Sequence, residues 1–204
     1  MALIKYNNQS LSAITSLPSA IPTGKLKLIS SQTASNSASI SFTTGLNSNY
    51  KIYRFVFINC HPRTDDVHFT FNLSTDSGSN YNVTKTTTYF TAYHNEADSA
   101  TALTYNTTDD LAQSTAYQAL ATGIGNGADE SCSGYLTLFN PASTVYVKHF
   151  ISNINRYYSG DYTGNEYVAG YANTTSTVNA INFKFGSGNM DGTIYLYAID
   201  NSWV

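Results

Sequence analysis

Two short segments of the sequence combine histidine with carboxylates, the side chains that could hold a metal ion or transfer a proton. The first runs from His61 to Asp66 and the second from His94 to Asp98. Oxygen donors in a loop suit Ca²⁺, so the second segment, which also contains Glu96, is the stronger candidate for a cation. The spacing in the first segment matches no tight ligand motif, and a solvated loop explains both segments. We therefore predict no metal and no cofactor.

Sequence motifs of catalysis are not found in the chain. A serine hydrolase places its nucleophile on a strained Gly-X-Ser-X-Gly turn, and no such pentapeptide occurs. The segment Gly186-Ser187-Gly188 joins two predicted strands, so it has no helix N-terminus to receive a phosphate. No paired Cys or His spacing fits zinc, and the 13 acidic residues leave few candidates for the two carboxylates of a glycosidase. We predict that the protein is not an enzyme.

The two cysteines are far apart in the sequence. Cys60 and Cys132 could form a disulfide only if the fold brings them together. A free cysteine behaves as a small hydrophobic residue, so two buried thiols are the favoured interpretation. The sequence alone does not decide whether a disulfide joins them.

A tyrosine-rich stretch is the strongest local signal for binding. Five of the 17 tyrosines fall between positions 157 and 171. Aromatic rings with a polar tip suit wet interfaces and sugar stacking. Three interpretations are open: packing at the rim of a sheet, a seam between subunits, or contact with a glycan. The candidate subunit or glycan contacts are Tyr157, Tyr158 and Tyr162, together with Trp203, the single tryptophan.

The composition indicates a β-rich domain with a neutral, hydrogen-bonding surface. Only 11% of the residues are charged, against about a quarter in a typical domain. The net charge is -3, and the 10 basic residues do not cluster, which argues against nucleic-acid binding. No apolar run reaches the about 20 residues that span a bilayer, and the start has no signal-peptide core. We expect synthesis in a cytoplasm and no membrane insertion.

Alternating apolar and polar residues predict the strands that must position these side chains. The alternation is cleanest from Val67 to Leu73, and the stretch from Tyr50 to Asn59 is apolar on both faces, as in a central strand. Strand signals recur every ~10 to 15 residues, with turn residues between them and no crossover helices. We predict an all-β fold, an antiparallel β-sandwich of the jelly-roll type, over residues 25–204.

The C-terminal part predicts two strands and a glycine-rich connection between residues 179 and 199. We interpret them as a closing hairpin whose second strand, apolar on both sides, lies in the middle of a sheet and whose outer edge is a candidate subunit contact. Residues 155–164 are predicted as a loop, and 166–171 as an edge strand. The segments Ser99–Leu103 and Asp109–Gln113 are weak candidates for a short helix.

Residues 1–24 differ from the rest of the chain and are predicted to form an extended arm. Pro18 and Pro22 restrict the backbone and disfavour a helix. The apolar side chains of the arm need a surface, which is either a partner on a particle or the chain's own domain. The candidate docking residues are Leu11, Ile14, Leu17 and Ile21.

Several stretches resemble small β-rich structural proteins of tailed bacteriophages, particularly proteins frequent in phages of aquatic bacteria. The resemblance is one of pattern over nearly all 204 residues, and it brings no catalytic motif. It implies a homotrimeric virion component on the particle surface and leaves head or tail open. The matching stretches are Leu11–Pro18, Tyr50–Asn59, Phe71–Gly78, Ala92–Ala97 and the closing pair of strands.

The sequence therefore predicts a non-enzymatic virion structural protein that is made in the host cytoplasm. The favoured role is a capsid decoration (cement) protein that docks on other virion proteins and associates with itself. The alternative is a tail-fibre or tail-associated receptor-binding module, lectin-like, that holds a host surface glycan. A third possibility, an enzyme acting on a cell-surface polymer, would depend on Glu96 or Asp98.

Overall fold

The computed structural model describes residues 26–199, which form twelve β-strands and contain no helix. No part of the described chain therefore provides a long apolar helix of the kind that crosses a membrane. The strands are β1 (Leu26–Ser37), β2 (Ile40–Phe42), β3 (Ile52–Pro62), β4 (Val67–Ser74), β5 (Lys85–Asn95), β6 (Thr101–Tyr105), β7 (Gln118–Ile124), β8 (Cys132–Phe139), β9 (Lys148–Tyr158), β10 (Tyr162–Ala172), β11 (Ala180–Phe185) and β12 (Met190–Ile199).

The strands form two layers in which every pairing is antiparallel. The larger sheet has the order β1-β12-β3-β8-β9-β10-β5-β6, and the smaller sheet has the order β7-β4-β11-β2. One residue pair, Ile124 of β7 with Tyr158 of β9, joins the two sheets at one end. The prediction of an all-β, antiparallel, sandwich-like fold is confirmed.

Phenylalanine rings fill the space between the two sheets. Phe183 of β11 lies at the centre of this cluster, with its ring centroid 5.2 Å from those of both Phe55 and Phe57 of β3. Phe69 and Phe71 of β4 lie 6.1 and 6.4 Å from Phe183. All five rings are fully buried, and edge-to-face and tilted contacts add to the energy of their burial. The smaller sheet is thereby attached to β3 of the larger sheet.

The predicted closing hairpin is wrong, although both of its strands exist. β11 pairs with β2 and β4 in the smaller sheet, whereas β12 pairs with β1 and β3 in the larger sheet. The glycine-rich segment 186–189 therefore connects the two layers. β12 is central, as predicted, and both of its edges are already paired, so it offers no outer edge to another subunit. Alternation identifies a strand's buried face but does not identify its neighbours.

Three further local predictions are corrected. Neither weak helix candidate is helical, since strand β6 begins at Thr101 within the first, and the second, Asp109–Gln113, contains only turns and irregular structure. The predicted loop 155–164 is mostly strand, because β9 continues to Tyr158 and β10 begins at Tyr162. The predicted edge strand 166–171 belongs to β10, which lies between β9 and β5. Polar residues on both faces of these strands hide the apolar alternation.

The N-terminal arm lies outside the described residues. The same holds for the C-terminal tryptophan. The predicted docking and contact residues concerned are Leu11, Ile14, Leu17, Ile21 and Trp203.

Lys85 is fully buried at the start of β5 and makes the stability of the fold depend on pH. Its Nζ donates hydrogen bonds to Asn72 Oδ1 at 2.6 Å and to the Val83 carbonyl oxygen at 2.8 Å. Burial lowers the pKa of Lys85 from 10.5 to about 7. Between these two values the unfolded chain binds a proton that the folded protein lacks. The contribution of Lys85 to the free energy of unfolding therefore rises with pH, by at most about 1.4 kcal/mol per unit.

We expect Lys85→Met to remove this contribution. Urea unfolding at pH 7 and pH 9.5 measures the free energy of unfolding of the wild type and the variant at each pH. The wild type should gain stability relative to the variant as the pH rises, while the exposed Lys51→Met control should change in parallel with the wild type. A difference between wild type and Lys85→Met that is the same at both pH values would contradict the prediction.

Candidate functional site

Three tyrosines, an arginine and a threonine line a cleft at the end of the sandwich where β7 and β9 are paired. Its lining residues are Tyr93 of β5, Thr122 of β7, Arg156 and Tyr158 of β9, and Tyr162 of β10. The cavity has a volume of about 340 Å³. We call these five residues the tyrosine cleft. Its volume lies at the lower end of the range for ligand pockets, about 300 to 1,000 Å³.

The register of the larger sheet brings the three rings together. Tyr158 and Tyr162 are directly paired across the β9–β10 turn, and Tyr93 is paired with Gly164, two residues from Tyr162. Such direct and diagonal neighbours on one face of a sheet are within reach of aromatic side chains. The Tyr162 ring is 5.5 Å from Tyr93 and 5.7 Å from Tyr158, at angles of 77° and 74°. Tyr162 is therefore nearly perpendicular to both of its neighbours.

Two glycines leave room for the walls of the cleft. Gly123 of β7 has a φ of +56°, and a Cβ at this position would overlap the Tyr158 ring. At Gly164 of β10 a Cβ would lie 3.1 Å from Arg156 Nε. A side chain at either position would displace Tyr158 or Arg156, so glycine allows these groups to pack closely against the strands.

A buried ion pair holds Arg156 in place beneath the rings. Its Nε donates to Oε1 of Glu166, and Thr91 Oγ1 donates to the other carboxylate oxygen. The side chain of Glu166 is 0% exposed and that of Arg156 is 10% exposed. The guanidinium carbon lies 4.7 Å from the centroid of the Tyr158 ring, a cation–π contact. The same Glu166 carboxylate lies near the buried Tyr89 of β5. Burial raises the pKa of the Tyr89 hydroxyl, and the negative charge of Glu166 raises it further.

The structure brings together two of the three tyrosines that the sequence singled out. Tyr158 and Tyr162 line the cleft, whereas Tyr157 lies on the opposite face of β9. The Tyr157 hydroxyl donates to Asp161 Oδ1 at 3.1 Å, and this carboxylate, together with the smaller effect of Glu96, raises the pKa of Tyr157 to about 12. Tyr157 is therefore a natural control for experiments on the cleft.

The two histidine-carboxylate segments do not form clusters. His61 Nδ1 contacts the Glu130 carbonyl oxygen at 2.6 Å, while Asp65 accepts a bond from the Asn126 amide. His94 and Asp98 are in contact at 3.0 Å. Within residues 26–199, no group of three or more His, Cys, Asp or Glu side chains is arranged to hold a metal ion. These polar side chains instead connect loops to strands.

The two cysteines are free, buried and directly opposite each other on β3 and β8. Burial raises the pKa of the Cys132 thiol, and its hydrogen bond with Cys60 adds to the increase. This agrees with the favoured interpretation of two buried thiols. The protonated form of Cys132 is unreactive as a nucleophile.

The second unusual surface is the side of the larger sheet that faces away from the smaller sheet, which we call the outer face. It exposes large apolar and aromatic side chains from six of its eight strands, and Phe90 and Tyr167 stack on it with centroids 4.8 Å apart. The exposed large apolar residues of this face are Leu26, Leu28, Ile58, Phe90, Leu103, Tyr105, Ile151 and Tyr167. Exposed apolar side chains concentrated on one face of a protein are candidates for an interaction site.

Two shallow cavities lie side by side on the outer face. Their volumes are about 500 and 490 Å³, and both are lined by Phe139 and His149. Val145 and Tyr146 border the first cavity, and Ile151 is part of the second. Together they form a largely apolar groove near the end of β8 and the start of β9.

No protein-family model matches the chain, and no curated protein matches it at a significant level.

Sequence reasoning missed Tyr93, Thr122 and Arg156 in the cleft. They come from three strands that are far apart in the chain, and only the sheet order brings them together. One feature of the sequence could have indicated part of the site. Arg156 is one of only 10 basic residues, and it directly precedes the Tyr157-Tyr158 pair. The outer face was missed because its apolar residues were attributed to the core.

Proposed function

We propose that this protein is a non-enzymatic structural protein of a phage virion, of the capsid decoration type, that associates with copies of itself. The observation that carries the proposal is the outer face, a broad, weakly charged surface that exposes aromatic and aliphatic side chains from six strands. The resemblance to small phage structural proteins implies three copies on the particle surface, with synthesis in the host cytoplasm. The other partners are capsid or tail proteins.

The charge distribution of the outer face favours a second copy as its occupant. The outward residues of β9, β10 and β5 include no Asp, Glu, Lys or Arg. On β3, the charge of Arg54 is shielded, because its Nε donates to Thr137 Oγ1 at 3.1 Å and its guanidinium lies over the Tyr135 ring. These strands present no unshielded charge to attract a charged partner. In a closed trimer, one part of this face would instead be buried against a different part of the next copy's face.

The size of the face is sufficient for a stable contact. Eight strands at a spacing of about 4.8 Å span about 38 Å, and strands of about nine residues are about 30 Å long. The face therefore offers about 1,000 Å², compared with about 800 Å² per partner in one standard interface. In a closed trimer each copy contacts two others, so this area would be divided between two smaller contacts. A contact that uses most of this face would bury the exposed aromatic rings of β5, β6 and β10.

The strand order supports the jelly-roll interpretation. Without β5, β6, β9 and β10, the larger sheet contains β1-β12-β3-β8 and the smaller sheet β2-β11-β4-β7. The connections β1–β2, β2–β3, β3–β4, β7–β8 and β11–β12 each cross between the layers. This is the arrangement expected for two Greek keys in a double sheet. The four remaining strands then widen the larger sheet and with it the outer face.

A particle-binding experiment tests the virion role. We expect the full chain to bind purified particles that lack it, and a variant without residues 1–24 to fold but to bind far less. Circular dichroism confirms folding of the variant, and sedimentation with the particles measures binding. Equal incorporation of the truncated protein would contradict docking by the arm, and no binding of the full chain would contradict the virion role.

The alternative function is a receptor-binding, lectin-like module of a tail fibre or tail. The observation that favours it is the tyrosine cleft, which combines aromatic walls with hydrogen-bonding groups in a cavity. The two functions use different surfaces, since the cleft lies on the inward side of the larger sheet and self-association uses the outward side.

A further inference from the structure

We propose that the tyrosine cleft binds a single uncharged pyranose residue of a glycan. The proposal gives the glycan-binding alternative a site and a ligand class, and it is independent of self-association through the outer face.

The arrangement of the rings suits the two kinds of surface that a pyranose has. One face of a sugar ring carries C–H groups that pack on an aromatic face, while its rim carries hydroxyl groups. Tyr93 and Tyr158 are both nearly perpendicular to Tyr162, so the cleft presents aromatic surface in more than one direction. A sugar ring placed among them would contact a tyrosine face and the hydroxyl of a neighbouring tyrosine.

Arg156 provides a hydrogen-bond donor in the wall of the cleft. Its Nε is committed to Glu166, but its buried Nη1 has no hydrogen-bond partner among the described residues. Buried polar atoms almost always have a hydrogen-bond partner, so the Nη1 donor of Arg156 requires an acceptor. The Thr122 hydroxyl from the facing strand β7 adds a group that can donate or accept. In this proposal sugar hydroxyl and ring oxygens supply acceptors for both, and the guanidinium turns toward the cleft so that the buried Nη1 can reach one of them.

The charges around the cleft favour an uncharged ligand. The Glu166 carboxylate already neutralises Arg156. Further carboxylates lie close by, because Asp66 approaches Gly123 where Tyr158 packs, and Asp161 and Glu96 lie beside Tyr157 at the adjacent turn. An acidic sugar would be repelled by these carboxylates, and the guanidinium that lines the cleft is already paired with Glu166. A neutral hexose or N-acetylhexosamine has neither disadvantage.

The size of the cavity limits the ligand to a small group. A volume of about 340 Å³ is at the lower end of ligand pockets and fits one sugar ring better than an extended chain. The cleft lies at the end of the sandwich, beside the β9–β10 turn, so the rest of a glycan could extend into solvent from this end.

Saturation-transfer difference NMR with simple methyl glycosides tests the proposal on the full-length protein. The neutral probes are the methyl glycosides of glucose, galactose, mannose and the two N-acetylhexosamines, and the acidic probes are those of glucuronic acid and sialic acid. We expect transfer to at least one neutral probe and none to the acidic probes. Tyr162→Ala should weaken binding by about tenfold or more, since it removes the central ring of the cleft.

Tyr157→Ala is the matched control, because it removes a tyrosine next to the cleft but on the other face of β9. It should bind the neutral probe as the wild type does. Thr122→Val, which keeps the shape of the side chain, should weaken binding without affecting folding. Transfer to none of the neutral probes, preference for an acidic probe, or unchanged binding by Tyr162→Ala would each overturn the proposal. The molecular mass of the same samples tests self-association separately, so failure of one proposal is distinguishable from failure of the other.

Discussion

The Phe183→Ala variant is expected to lose about 3 to 5 kcal/mol of its free energy of unfolding, the usual range for a buried phenylalanine. Phe183 is fully buried and contacts rings from both sheets, including Phe55, Phe57 and Phe69. Its removal leaves a cavity where the smaller sheet is attached to the larger one. Because a domain is stable by only about 5 to 15 kcal/mol, the variant should unfold at a clearly lower urea concentration.

Phe90→Ala is the control for this effect. Phe90 is 38% exposed on the outer face and stacks on Tyr167, so its truncation opens no cavity in the core. At a protein concentration too low for self-association through this face, we expect a loss of about 1 kcal/mol, close to the value of an aromatic pair. Similar losses for Phe90→Ala and Phe183→Ala in urea unfolding would show that the phenylalanine cluster does not hold the two sheets together.

Breaking the buried ion pair is expected to have the second largest effect. In Glu166→Gln the charge of Arg156 remains, held mostly out of solvent and without its counter-ion. Leaving one charge of a buried pair uncompensated costs about 3 to 5 kcal/mol. The substituted amide side chain keeps nearly the same volume and can still accept from the Thr91 hydroxyl, so the loss would come from the missing charge.

A double variant separates the charge effect from the loss of packing. Glu166→Gln combined with Arg156→Met removes both charges and keeps the volume of the site nearly constant. We expect the double variant to be more stable than Glu166→Gln alone, since no unpaired charge stays buried. Thermal and urea unfolding of the wild type, both single variants and the double variant measure this coupling. A double variant whose loss equals the sum of the single losses would rule out an energetic coupling between the two side chains.

The sequence predicted the fold class because the central strands alternate clearly. Every second residue from Val67 to Leu73 faces the core, and Tyr53, Phe55 and Phe57 do the same in β3. The order of the strands was not predictable from this pattern. β11 and β12 are neighbours in the chain with a glycine-rich connection, the usual sign of a hairpin, but they lie in different sheets.

The candidate site was predictable only in part. Tyr158 and Tyr162 belong to the tyrosine-rich stretch, and the turn between them brings them together. Their contacts with Tyr93 and Thr122 depend on pairing between strands that are distant in sequence. The strands around the cleft also bury Arg156 and other polar side chains, so their inward faces show no apolar alternation. Because the interior around the cleft is polar, the sequence pattern indicated neither the full extent of these strands nor the site that they form.

The molecular mass of the protein in solution tests the central proposal, self-association through the outer face, most directly. Size-exclusion chromatography with light scattering should give the wild type a mass of three times the 22.2 kDa of one chain at micromolar concentration. Ile151→Glu, which places a charge in the groove of the outer face, should reduce this to a single chain. Ser187→Glu adds the same charge in the exposed connection between β11 and β12 and should leave the mass unchanged. A wild type with the mass of one chain, or an Ile151→Glu variant with the wild-type mass, would contradict the proposal.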